Sequence, residues 1–130
     1  MNGNPMQPPE GKALVNFLRP SGRGGKFYVK IICDGLYIGR MKGKQFLYIF
    51  LDPGEHTIFS DNGDEHGSSL SGLSEFRLLV EAGKTYFLQV QIMFHPMYFD
   101  NKLIQIVESD GRIILDKCKL STDTDVRDLY

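Results

Sequence analysis

The side chains able to do chemistry in this chain are few and scattered. His56, His66 and His95 stand far apart, and none forms the HxH or HExxH pairing that puts two imidazoles on one metal. His56 follows Pro53-Gly54-Glu55 at the start of a strand-like run. There a ring nitrogen can bond a turn carbonyl, and that structural role is favoured over a ligand or catalytic one. His95 opens a loop and is expected at the surface. Cys33 shares the parity of Val29 and Ile31 and reads as a buried apolar thiol. Cys118 stands between Lys117 and Lys119, and nearby positive charge lowers a thiol pKa, so a reactive Cys118 is conceivable. No base stands beside it in the sequence. Two cysteines are too few for a disulfide scaffold. One Cys33–Cys118 bridge and two separate thiols both remain open.

Three loops invite a functional reading. Asp61-Asn62-Gly63-Asp64-Glu65-His66 offers oxygen ligands for Ca²⁺, but it lacks the EF-hand alternation and reads as a solvated loop. Ser21-Gly22-Arg23-Gly24-Gly25-Lys26 has the composition of a phosphate cradle. Its glycine spacing is too short for a P-loop, and a strand follows where a helix N-terminus is required. Arg19, Arg23 and Lys26, with Arg40, Lys42 and Lys44, are expected to form a weak basic edge, of the kind that blocks unwanted sheet pairing.

The third stretch is Met93-Phe94-His95-Pro96-Met97-Tyr98-Phe99. Pro96 must break the strand, which leaves Met97, Tyr98 and Phe99 in a loop. They either fold back over the end of the domain or form an exposed contact patch. Fold-back is the favoured reading; if exposed, this trio is the first candidate surface for a protein partner, a ligand or self-association. No GxSxG elbow and no paired-carboxylate pattern occurs. No catalytic, cofactor-binding or metal-ligating residue is assigned.

These residues must be positioned by strands, because period-two alternation dominates the chain. Tyr86, Leu88, Val90, Ile92 and Phe94 form one face of the clearest run, with Gln89 and Gln91 on the other. Phe27, Val29, Ile31 and Cys33 alternate with Tyr28, Lys30, Ile32 and Asp34. Ala13, Val15 and Phe17 alternate with Leu14, Asn16 and Leu18, and Phe76, Leu78 and Val80 with Glu75, Arg77 and Leu79. The run Phe46–Leu51 is apolar at both parities and is expected to be covered on both sides. Asp34-Gly35, Pro53-Gly54, Ala82-Gly83 and Asp110-Gly111 punctuate these runs, and the Asp-Gly pairs suit tight hairpins. No stretch shows an apolar stripe of helical period. The expectation is an all-β antiparallel sandwich of about seven to nine short strands. Residues 1–11 are expected to form a flexible N-terminal segment, 12–118 the sandwich, and 119–130 a polar tail.

Composition narrows the function classes. With 42% hydrophobic and 24% charged residues the chain reads as globular. Its net charge of −1 argues against nucleic acid as the main partner. No segment approaches the length of a membrane span. The first twelve residues contain no apolar signal core, which leaves open either a native start or the remainder after signal removal. The compartment stays open accordingly: envelope or periplasm if a signal was trimmed, cytoplasm otherwise.

The spacing carries a resemblance. Ala13-Leu14-Val15 leading to Arg19-Pro20, then Asp34-Gly35 and Ile38-Gly39, is similar to the bacterial domain-of-unknown-function family 2846. Tyr48 with Pro53-Gly54-Glu55-His56-Thr57-Ile58, and Glu81-Ala82-Gly83-Lys84-Thr85-Tyr86, fit the same pattern over about Lys12 to Leu115. The Pro-Gly-Glu-His-Thr box also resembles PEGA-type surface β domains. The resemblance implies a small β-sandwich, often envelope-directed or lipid-anchored, and implies no activity and no cofactor. The chain shows no lipid-attachment signal, which is a departure from that pattern. The leading expectation is a non-enzymatic binding or structural module. Its rival is a small enzyme or metal-binding protein using Cys118 or His56 with loop carboxylates.

Overall fold

The computed structural model describes residues 3–5, 7–20, 28–62, 73–97 and 99–121, with backbone alone at Phe99. In chain order the elements are β1 (Ala13–Arg19), β2 (Val29–Cys33), β3 (Leu36–Met41), β4 (Gln45–Leu51) and β5 (Gly54–Asp61). They continue with β6 (Leu73–Val80), β7 (Thr85–Phe94), β8 (Phe99–Ile106), α1 (Glu108–Asp116) and β9 (Lys119–Leu120). Five strands form one sheet in the order β8-β7-β1-β4-β9, and four form the other in the order β3-β2-β5-β6. The four-stranded sheet is antiparallel throughout. In the five-stranded sheet β1 runs parallel to β7 and β4 parallel to β9, and the other pairs are antiparallel. The architecture is the all-β sandwich that the alternation predicts.

The core follows from parity. Val15, Phe17, Ile49, Leu51, Leu88 and Val90 face inward from the larger sheet. They meet Val29, Ile31, Cys33, Ile58, Leu78 and Val80 from the smaller one. Removing each large apolar side chain from water stabilises by about 1.5–3 kcal/mol. At Asp34-Gly35 the chain reverses between β2 and β3 with φ of 51° and 84°, the pair of positive values that a two-residue hairpin turn requires.

Asp110-Gly111 is different. The sequence expectation of a hairpin there is overturned, because both residues lie inside α1. Gly111 and Leu115, one turn apart, are the helix residues that bury against the sheet. Glu108 and Asp110 occupy the first turn, where negative charge opposes the helix dipole, and Arg112 Nη2 lies 3.1 Å from Glu108 Oε2. A Cβ on Gly111 would lie 2.6 Å from Phe87 Cδ1, so only glycine lets the helix backbone sit this close to the sheet.

The helix covers the outer face of the larger sheet. Leu18, Phe46, Phe87, Leu115 and Cys118 form a second apolar cluster there. All seven residues of β1 are consequently buried, including Asn16 and Arg19. The C-terminal segment continues this cover. Lys119 N–H donates to Lys44 O at 2.9 Å and Ser121 N–H to Phe46 O at 2.9 Å.

Candidate functional site

The best-organised group of reactive side chains lies at one end of the smaller sheet. Cys33 ends β2 facing the core. Asp34 takes the first turn position, and His56 enters from β5 on the same inner parity as Ile58. Backbone pairing sets the level, since Asp34 N–H donates to Thr57 O at 2.8 Å.

His56 Nδ1 lies 2.6 Å from Asp34 Oδ2, and Nε2 lies 2.7 Å from the Asp52 carbonyl oxygen. A carbonyl can only accept, so Nε2 carries a proton and Nδ1 shares one with the carboxyl group. Thr57 N–H donates to Asp34 Oδ1 at 3.0 Å. Cys33 Sγ lies 3.9 Å from Asp34 Oδ2. The ring thus ties the β2–β3 turn to the β4–β5 turn, and it does bond a turn carbonyl as its sequence position suggests. Burial and then the Asp34 charge push the Cys33 thiol up to about 12. Among the described residues, Cys33, Asp34 and His56 are the group of metal-capable donors close enough to share an ion.

Cys118 departs from its sequence expectation. Its lysine neighbours do not lower its pKa; burial pushes the thiol up to about 11, partly opposed by the Arg19 backbone N–H that bonds the sulfur. A thiol held protonated is a poor nucleophile at neutral pH. Neither cysteine is in a disulfide: Cys33 lies inside the sandwich, and Cys118 belongs to the apolar cluster on the far side of the larger sheet.

The basic edge is also revised. Arg19 is 1% exposed and belongs to a central strand; its Nη1 donates to Met41 O at 2.6 Å, and burial lowers its pKa to about 10. Arg40 does lie on an edge strand, β3, and its guanidinium and the Lys42 ammonium sit over the Tyr28 ring, 3.8 and 4.9 Å from its centroid. Arg23, Lys26 and the rest of the Ser21–Lys26 loop lie outside the described residues, as do His66 and the Gly63–Glu65 part of the acidic loop.

The aromatic stretch forms a hairpin tip. Phe94 pairs with Phe99, so Phe99 begins β8 and does not lie in the loop. His95 Nε2 lies 3.3 Å from Asp100 Oδ2. Met97 is 91% exposed and Phe94 44%. Tyr98 and the Phe99 side chain lie outside the described residues.

Sequence reading missed an open groove of about 1040 Å³ between the N-terminal Pro8–Gly11, the Ala82–Lys84 turn and α1. Both of its cations are already ion-paired, Lys84 with Glu81 and Arg112 with Glu108. No periodicity marks this groove, because it forms where three distant segments meet.

No curated protein matches the chain. A family model described as "Protein of unknown function (DUF2846)" matches residues 9–102. That span holds β1 through β7 with the Asp34 turn and His56, the same motifs that carry the sequence resemblance. The chain therefore belongs to the DUF2846 family.

Proposed function

We propose that the chain is a non-enzymatic binding or structural module that meets a protein partner, or a second copy of itself, through Met97, Tyr98 and Phe99. Met97 is the observation that carries this reading. It is the most exposed of the large apolar side chains among the described residues, and it lies in the turn that follows β7. An exposed methionine three residues from an exposed phenylalanine offers large, adaptable contact area at the end of a hairpin. Two thiols held protonated by burial support the non-enzymatic half of the reading. Placement in the bacterial envelope is what the family resemblance implies, and a lipid-attachment signal in the genomic reading frame would support it.

Two measurements test the proposal. Light scattering of the full chain should show concentration-dependent self-association that a Met97→Ser/Phe94→Ser variant loses; identical masses for both would remove the tip as a self-contact. A thermal-shift panel of metabolites should give no ligand that is also turned over. Stabilisation followed by turnover would overturn the non-enzymatic reading.

A further inference from the structure

The geometry points to a binding site for one borderline-soft divalent cation of the zinc type, held by Cys33 Sγ, Asp34 Oδ2 and His56 Nδ1. The three donor atoms lie within 4.8 Å of one another. They present sulfur, carboxylate oxygen and imidazole nitrogen, the donor types that such a cation takes at tetrahedral sites. Bond lengths of about 2.0–2.3 Å place tetrahedral ligand atoms roughly 3.3–3.7 Å apart. The present gaps bracket that range, with Nδ1 to Oδ2 at 2.6 Å and Sγ to Oδ2 at 3.9 Å. Moving Asp34 Oδ2 by roughly 0.7 Å away from Nδ1 and toward Sγ would bring both gaps to about 3.3 Å. Asp34 is the member able to move, since its side chain is 29% exposed while that of His56 is 9% exposed.

The outer partners of a metal site are already in place. A ligating histidine ordinarily donates its second N–H to a carbonyl or carboxylate, which fixes tautomer and ring orientation. His56 Nε2 does this to the Asp52 carbonyl and so leaves Nδ1 facing Asp34 and Cys33. Asp34 Oδ1 is held by the Thr57 N–H, which leaves Oδ2 turned to the cluster.

The charge balance also closes. The cation enters with two positive charges. Two protons leave to solvent, one from the Cys33 thiol and one from between Nδ1 and Oδ2. The net charge of this mostly buried group is unchanged by the exchange, and the three ligand bonds offset the cost of stripping water from the cation. Three protein ligands leave a fourth position for water on the Asp34 side. The bound ion would clip the β2–β3 turn to β5. This site is independent of the contact proposed at Met97.

Cobalt(II) titration of the chelator-stripped full chain tests the site, because a thiolate ligand gives a sulfur-to-cobalt charge-transfer band. The band should saturate at one equivalent, be displaced by Zn²⁺, persist in Cys118→Ser and vanish in Cys33→Ser. Asp34→Asn and His56→Gln should weaken cobalt binding by about tenfold or more. Zn²⁺ should raise the melting temperature of the unmodified chain. No thiolate band at millimolar cobalt, or a band that survives Cys33→Ser, overturns the proposal. If Cys33→Ser does not fold, Cys118→Ser and Asp34→Asn decide. A band retained in the first and a weakened affinity in the second uphold the site, and an unchanged affinity in Asp34→Asn overturns it.

Discussion

At the scale of single residues, context overrides sequence neighbours. Cys118 is flanked by two lysines, yet both are exposed and its sulfur is buried under α1, so desolvation of the thiolate outweighs the nearby charge. The sign of the pH effect follows. Folding favours the protonated thiol, whose pKa rises from 9.0 to about 11. That contribution is fully present below about pH 9 and is lost as the pH climbs toward about 11. It amounts to about 2–3 kcal/mol at most. Urea unfolding at pH 7, 9 and 11 should show a steeper alkaline loss for the parent chain than for Cys118→Ala. Parallel losses would mean the thiol is not held by burial. Asn16 shows the same dominance of context. It alternates with Val15 and Phe17 in the manner of a surface residue, but the helix side of the sheet buries it completely.

At the scale of elements, α1 is the informative case. Its residues read as a turn between two strands because Asp-Gly is a strong local hairpin signal and the helical stripe is only Gly111, Ile114 and Leu115. Tertiary packing decides in favour of the helix, since Gly111 admits the Phe87 ring where any side chain would collide. This gives a prediction of definite sign. In an exposed helix Gly→Ala stabilises by about 1 kcal/mol. Gly111→Ala should instead destabilise by about 1–3 kcal/mol through overpacking against Phe87, read as a lower urea midpoint at unchanged slope. A higher midpoint would show that the helix does not sit on Phe87.

At the scale of the whole molecule, two apolar layers are stacked on one sheet. The sandwich interior lies on one face of β1, β4 and β7, and the cluster under α1 lies on the other. The C-terminal part of the chain is therefore a structural cover. A chain ending at Ile106 should expose Leu18, Phe46 and Phe87 as one apolar patch. It should bind a hydrophobic dye or aggregate, and a soluble truncated monomer with an unchanged melting temperature would refute the layered account.

The sequence alone determined the β-sandwich, most of its strands, the Asp34-Gly35 hairpin and the tie of His56 to its turn. All of these rest on period-two alternation or on turn chemistry, which act between residues close along the chain. Only the tertiary structure decided that residues 108–116 are helical, that Arg19 is buried and that Cys118 is held protonated. It alone brought Cys33 and Asp34 to His56, more than twenty residues away. Strand pairing and register, here of β2 with β5, bring such groups together, and neither leaves a periodic trace in one sequence.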